Sequence, residues 1–365
     1  MSAVAWLESL SPWPSGGFGT DRMRTLLAEL GDPQAGLPAV HVVGTNGKST
    51  TTRLVEELLL ANGVRAGAYL SPHVRSWAER IRVEGREANL DAALEAVRPA
   101  AEPLGATQFE VLTAAAFVAF RTASVEGAAV EAGLGGRHDA TNVLDATRVV
   151  VLTNVSLEHT EVLGTTREAI AAEKLAVVRP GCTVVVGEPE WEDLARAAGG
   201  GTVLVEPGGS PALARMAARA FLGREIDDSA LGPVALPGRL ERREGEVRDG
   251  AHNAEGVRWL VEHLPRGDYT VMASILADKD ADGMLEALAV LGRRFVACRS
   301  SNPRALPSAE LADRAQRVFD VVRARDDPRE ALALAHELGE PVLVTGSLYL
   351  LADLEADHDE TSGPR

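Results

Sequence analysis

The stretch HVVGTNGKST, residues 41–50, holds the residue types that grip a nucleoside triphosphate. An apolar run feeds a glycine-rich turn and then a helix start, so backbone N–H groups and the helix dipole converge on one point. Gly44 and Gly47 let the backbone approach a phosphate closely, with Thr45 and Asn46 completing the loop between them. Lys48 supplies a point charge for the β- and γ-phosphates, and Ser49 or Thr50 a hydroxyl for Mg²⁺. The spacing G-x-x-G-K-[ST] is shorter than the common G-x-x-x-x-G-K-[ST]. A bare glycine turn beside a solvated lysine explains less, because strand, turn and helix all fall where the motif needs them. The chain is expected to bind a nucleoside triphosphate.

Glu131 ends the apolar run from Gly127 and precedes AGLGGRHDATN. A carboxylate at a strand's C-terminal edge beside a glycine loop is where α/β folds carry out metal and phosphate chemistry; it is equally where an edge carboxylate meets solvent on a turn. His159, in NVSLEHTEVLG, and Ser71, in YLSPH, also follow strand ends. Taken singly, such a histidine is scaffold and such a serine a turn hydroxyl. Their convergence argues for function, since the C-terminal ends of parallel strands share the edge that carries the phosphate loop. Lys174, in REAIAAEKLAVV, reads as an exposed lysine paired with a nearby glutamate. RDGAHNAEG sets Asp249, His252 and Asn253 in a strand-to-helix turn, either a nucleotide-facing loop or ordinary cap chemistry. The charged LADKD stretch reads as a solvated loop.

The elements that must position these residues alternate along the chain. Strands are expected at Ala39–Val43, Val64–Leu70, Gly127–Glu131 and Arg148–Thr153. Helices are expected after the phosphate loop as far as Gly63, over Leu112–Arg121, and over Thr166–Val178, where Pro180-Gly181 stops the last. From about Gly187 to Gly209 the pattern weakens around a short TVLVE strand, before an Ala-rich helix at Pro211–Leu222. GREIDDSALGPVALPG is the best linker. Beyond it, strands are expected near Glu246–Arg248, Tyr269–Ile275, Arg294–Cys298 and Pro341–Val344. Helices should cover Ala254–His263 and Asp282–Leu291, start again at Ser308, and start once more with Asp327 as cap and Pro328 first. The charged tail EADHDETSGPR reads as frayed. The expectation is an α/β protein with two parallel-sheet domains: a P-loop ATP-binding domain over 1–230 and a smaller Rossmann-like domain over 238–365, joined near 225–237.

Composition agrees with this and excludes other classes. At about 150 residues per domain, 365 residues suit two domains. The charge balance, 37 basic against 53 acidic residues for a net −16, argues against gripping nucleic acid or an anionic membrane. No uninterrupted apolar run reaches the roughly 18 residues of a membrane span, and the first residues show no basic region followed by an apolar one. Two distant cysteines, Cys182 and Cys298, cannot build a disulfide framework or a four-sulfur metal site. A cytoplasmic monomer is expected, with small molecules as its partners.

Taken together, these motifs resemble the folylpolyglutamate synthase/dihydrofolate synthase family within the Mur ligase superfamily. The likeness runs almost end to end: FGTDRM, HVVGTNGKST, LSPHVRSWAERIRVEG, TQFEVLTAAAF, EAGLGGRHDATNVL, NVSLEHTEVLG, EKLAVVRPG, LPGRLE, DGAHNAEG, LADKD, NPRA and GSLYLLADL follow in the family's order. The resemblance implies that Ser49, Ser71, Glu131 and His159 hold Mg²⁺ and that residues 44–50 surround the triphosphate of ATP. It implies that Arg239 and Asp249, with His252 and Asn253 in the same turn, contact ATP from the C-terminal domain. Phe18, Gly19 and Arg22, with Ser71 and His73, would approach the pterin substrate. Lys174 matches a lysine that is carbamylated in the superfamily, and Lys48, His159 and Lys174 would be the catalytic set.

The implied reaction is ATP-dependent addition of glutamate to dihydropteroate, to folate, or to both, through an acyl phosphate. Two alternatives are a muropeptide-type ligase and a nucleotide-binding homologue without ligase activity. Three departures from the family pattern stand out. The loop reads GTNGKST where the family has a further glycine after the lysine. The stretch 181–214 is shorter than usual and has Ser210-Pro211-Ala212 in place of a glutamine and an asparagine, which leaves adenine recognition to other groups. Arg137-His138 precede DATN, and the histidine has no physical account.

Overall fold

A computed structural model describes residues 1–14, 17–229, 231 and 236–356. The described residues of 1–72 and 76–234 form one compact unit, and those of 73–75 and 235–365 a second. Part of the expected linker (230 and 232–235) and the tail at 357–365 lie outside the described residues.

The first unit carries an eight-stranded sheet: β1 (Ala39–Val43), β2 (Ala66–Tyr69), β3 (Ile81–Val83), β4 (Arg86–Glu87), β5 (Gly127–Glu131), β6 (Thr147–Leu152), β7 (Thr183–Val186) and β8 (Thr202–Val205). Their order is β4-β3-β2-β5-β1-β6-β7-β8. The run from β2 to β8 is parallel throughout. β3 and β4 add an antiparallel edge that the reading of a parallel sheet did not include. They are joined by Glu84 and Gly85, both at positive φ, the backbone a two-residue hairpin turn requires. β7 and a short helix at Glu192–Ala197 were also absent from the expectation, which named no element between Pro180-Gly181 and Gly187 and only a weak pattern from there to Gly209.

Side chains alternate across the central strands, so the sheet is covered on both faces. Val40, Val42, Ala129, Val149 and Val151 pack with the helices Lys48–Ala61 and Gly209–Leu222. On the opposite face, Ala128 and Val130 meet the helix Gln108–Thr122, and Val150 and Leu152 meet the helix Arg167–Leu175. Strand order reverses at β1, which has β5 on one side and β6 on the other. Their registers put Val42 level with Glu131 and Val43 level with Leu152, so three strands end together at the crevice where open α/β sheets bind ligands.

The second unit has six strands: β9 (Glu241–Arg243), β10 (Glu246–Arg248), β11 (Thr270–Ala273), β12 (Arg294–Ala297), β13 (Val321–Ala324) and β14 (Val342–Thr345), in the order β13-β12-β11-β14-β10-β9. Only β9 is antiparallel, a hairpin partner of β10 that the expected parallel sheet lacked. The predicted cap is present: Asp327 accepts from the backbone N–H groups of Arg329 and Glu330, with Pro328 in the first turn.

Candidate active site

Gly44 leaves β1 at φ +144, and a Cβ there would lie 1.9 Å from Thr153 Oγ1. Only glycine lets the loop turn so tightly against the end of β6. The loop is then held from the same side by the segment after β6. Thr153 Oγ1 donates to the Asn46 carbonyl at 2.7 Å. The Asn154 side chain accepts from Asn46 N–H at 2.8 Å, its carbonyl accepts from Thr45 N–H at 2.9 Å, and Ser156 N–H donates to the Thr45 hydroxyl at 3.0 Å. Gly47 caps the helix Lys48–Ala61, whose first turn carries Lys48, Ser49 and Thr50, all half-buried. Lys48 Nζ curls back to donate to the Thr45 carbonyl at 3.1 Å, which keeps the ammonium at the loop.

Glu131 is buried at the end of β5, next to the loop. One carboxylate oxygen accepts from the Ser49 hydroxyl at 3.0 Å and the other from Ser71 N–H at 3.0 Å. Three of the four predicted metal ligands therefore meet at one carboxylate. The fourth, His159, caps the short helix Thr160–Leu163 with a left-handed backbone at φ +46. Among the described residues, no group of three or more His, Cys, Asp or Glu side chains is placed to hold a metal. The gathered set is instead one carboxylate with the Ser49 hydroxyl, hard oxygen donors of the kind Mg²⁺ prefers alongside its own waters, and Ser71, which meets the carboxylate through its backbone N–H.

Lys174 corrects the sequence reading of an exposed lysine. It is 1% exposed, on the buried face of its helix with Ile170, Ala171 and Leu175. Its Nζ donates to the Gly44 carbonyl at 2.8 Å and pairs with Glu158 at 3.1 Å. Burial lowers its pKa to about 8, with Glu158 opposing and Lys48 adding to the fall. Burial would raise Glu158, but the charges of Lys174, Lys48 and His159 prevail and hold it near 2. The glycine loop after β5 lies directly on this lysine's backbone: a Cβ on Gly136 would come within 2.5 Å of the Lys174 carbonyl.

Behind the glycine loop, buried Asp139 accepts from Leu134 N–H at 2.8 Å and from Thr141 N–H at 3.0 Å. The Thr141 hydroxyl also donates to Asp139 and lies 2.8 Å from Nε2 of His41, in the middle of β1. With that hydroxyl proton spent on Asp139, the His41 ring must donate, which assigns the proton to Nε2. Burial, aided by Arg179, lowers the His41 pKa to about 3. His138 is exposed on the turn before Asp139, and nothing in the structure explains it.

The expected substrate residues divide. Phe18 is exposed, edge-on to Trp13 with ring centroids 5.9 Å apart, and Gly19 has open space around it. Arg22 is engaged structurally: its Nε donates to both oxygens of Glu110 at 3.0 and 2.8 Å, and Glu110 also completes the capping box of the helix Gln108–Thr122 with Thr107. His73 falls in the short segment that counts with the second unit.

Within the second unit, Asp249 is buried, and its two oxygens accept from the N–H groups of Leu240 and Ala251, each at 2.8 Å. Burial raises its pKa, opposed by the charge of Arg239. Asn253 caps the helix Ala254–His263 by accepting from Gly256 N–H, and His252 Nδ1 lies 3.1 Å from the Gly250 carbonyl. Cap chemistry therefore shapes this turn.

Sequence reasoning missed Asn154 and Glu158. Both lie in NVSLEHTEVLG beside the chosen histidine, and the signal was their position just past the end of a buried strand.

A profile of the Mur ligase middle domain matches residues 42–182. The Escherichia coli protein named dihydrofolate synthase/folylpolyglutamate synthase is 31% identical over 96% of this chain and 94% of its own length. Its solved structure in complex with DHPP and ADP has a TM-score of 0.87 at 28% identity, covering 100% of this chain and 99% of that one. The bifunctional folylpolyglutamate synthase/dihydrofolate synthase of Yersinia pestis, complexed with AMPPNP and a Mn ion, gives 0.86 at 28% identity over 98% of both chains.

Proposed function

The chain belongs to the folylpolyglutamate synthase/dihydrofolate synthase family of the Mur ligase superfamily, and from that premise we propose how its own residues perform ATP-dependent ligation of glutamate to a pteroate or folate carboxylate. The observation that carries the reading is convergence on one loop. Ser49 ties the phosphate loop to Glu131, and the Gly44 carbonyl ties it to Lys174.

A carboxylate is a poor acylating agent. The γ-phosphoryl group of ATP passes to the acceptor carboxylate, giving an acyl phosphate and ADP. The neutral α-amine of glutamate attacks the acyl carbon, and the tetrahedral intermediate expels phosphate to leave an amide. This chain's contribution is positioning and charge neutralisation. The backbone N–H groups at the start of the helix Lys48–Ala61 and the helix dipole cradle phosphate oxygens, and Lys48 neutralises charge spread over the transferring group. Glu131, Ser49 and Ser71 would hold the divalent cation, joined by His159 as the family resemblance implies; bound there, the cation offsets phosphate charge. Arg239 and Asp249 would serve ATP from the second unit.

Lys174 is proposed as the site of N-carboxylation. With a pKa of about 8, part of its population is a neutral amine near neutral pH. That amine attacks CO₂, forms a C–N bond and releases one proton, leaving an anionic carbamate. A cytoplasmic monomer acting only on small molecules completes the reading.

The test is product mass after incubation with ATP, Mg²⁺, glutamate and either dihydropteroate or a reduced folate. One added glutamyl residue on dihydropteroate alone makes the chain a dihydrofolate synthase, and additions to folate as well make it bifunctional. No addition to either acceptor, with ADP still bound, refutes the ligase reading.

A further inference from the structure

Four consecutive residues, Thr153 to Ser156, follow β6. Three of them hydrogen-bond the phosphate loop. Val155 does not. Its backbone faces the other way, and both of its polar groups are taken by side chains remote in sequence. Its N–H donates to Glu188 Oε2 at 2.8 Å, and its carbonyl accepts from Arg167 Nε at 2.7 Å. Arg167 and Glu188 close the ring on each other at 2.8 Å. Trp191, 4% exposed, donates its indole N–H to the same Glu188 oxygen at 2.7 Å, and the Arg167 guanidinium lies over its ring at 5.1 Å. Glu188 stands just past the end of β7, and Arg167 opens the helix that carries Lys174.

Charge-assisted hydrogen bonds to both sides of one peptide residue fix its rotation. Turning Val155 would swing Asn154 and Ser156 away from Thr45 and Asn46, whose turn into the N-terminus of the helix Lys48–Ala61 they hold in place. We infer that Glu188 and Arg167 are positioning residues, a clamp on Val155 that sets the nucleotide affinity of the phosphate loop without touching the nucleotide. This rests on the phosphate-loop reading above. The clamp acts by preorganisation: a loop already held in its binding form loses less freedom on binding.

The experiment is calorimetric titration of the full chain with ADP and Mg²⁺, comparing Glu188→Gln, Glu190→Gln and Lys48→Ala. Glu190 pairs with the same Arg167 at 2.6 Å but makes no bond to Val155. The expected result is a Kd raised about tenfold by Glu188→Gln, equal to about 1.4 kcal/mol, and changed by less than about twofold by Glu190→Gln. In turnover, KM for ATP should rise with Kd while KM for glutamate stays. Equal effects of the two glutamate variants, or none from either, overturn the clamp. If Glu188→Gln does not fold, Arg167→Lys replaces it: lysine can pair with Glu188 but cannot also bond the Val155 carbonyl in the same geometry. An unchanged Kd there overturns the inference equally. Lys48→Ala separates the two claims. If it leaves ADP binding intact, the phosphate-loop reading and the clamp fall together. If it weakens binding while Glu188→Gln does not, only the clamp falls.

Discussion

His41→Gln should trade a little stability near neutrality for resistance to acid. His41 is fully enclosed in β1, and its folded pKa of about 3 lies below the ordinary 6.5. The unfolded chain therefore binds a proton below about 6.5 that the folded chain refuses, and stability falls as pH drops from about 6.5 towards 3. Each pH unit costs about 1.4 kcal/mol, so this one ring removes about 2.7 kcal/mol by about pH 4.5. Glutamine keeps an N–H donor for the Thr141 hydroxyl but has no proton to gain. The lost packing and altered hydrogen bond should cost about 1 kcal/mol near neutral pH. The two stabilities should cross at about pH 6, with the variant ahead by about 1.7 kcal/mol at about pH 4.5. Urea titrations of both proteins across this range measure the difference directly, because the carboxylates common to both cancel. Parallel pH slopes would refute the assignment of His41 as a neutral ring held by burial.

Lys174→Ala should abolish ligation, and short-chain carboxylic acids should restore part of it if the lysine works as a carbamate; no rescue by formate or acetate sinks that role. The same variant leaves Glu158 buried without its cation, which should cost about 3–5 kcal/mol, reduced to the extent that Glu158 takes up a proton. His159→Ala should shift the Mg²⁺ dependence of turnover to higher concentration, and an unchanged titration marks it as scaffold. Gly136→Ala drives a methyl against the Lys174 and Glu173 carbonyls, so a melting temperature unchanged from the parent would contradict the close approach seen there.

Arg22 and Lys174 show how a residue's identity can be plain while its employment is not. By motif Arg22 belonged to the pterin region, yet its Nε is spent on Glu110, eighty-eight positions away in the chain. Lys174 read as a surface lysine because glutamates surround it in sequence. A helical count would have warned otherwise, since it lies four residues after Ile170 and three after Ala171, both on the buried face.

The sequence by itself determined what short-range physics governs. Apolar runs of strand length, the glycine turn into the helix Lys48–Ala61, and caps such as Asp327 with Pro328 are settled among residues a few positions apart. The tertiary structure decided what depends on partners far along the chain. The antiparallel edges β3–β4 and β9 arise from hairpins whose flanking strands are too short to carry a clear alternation. Glu131 gathers Ser49 and Ser71 only because β5 lies beside β1 and β2, and Lys174 reaches the Gly44 carbonyl only because its helix packs beneath that sheet edge. Once buried there, the lysine is desolvated and its pKa falls, a property no residue has until the fold removes its water.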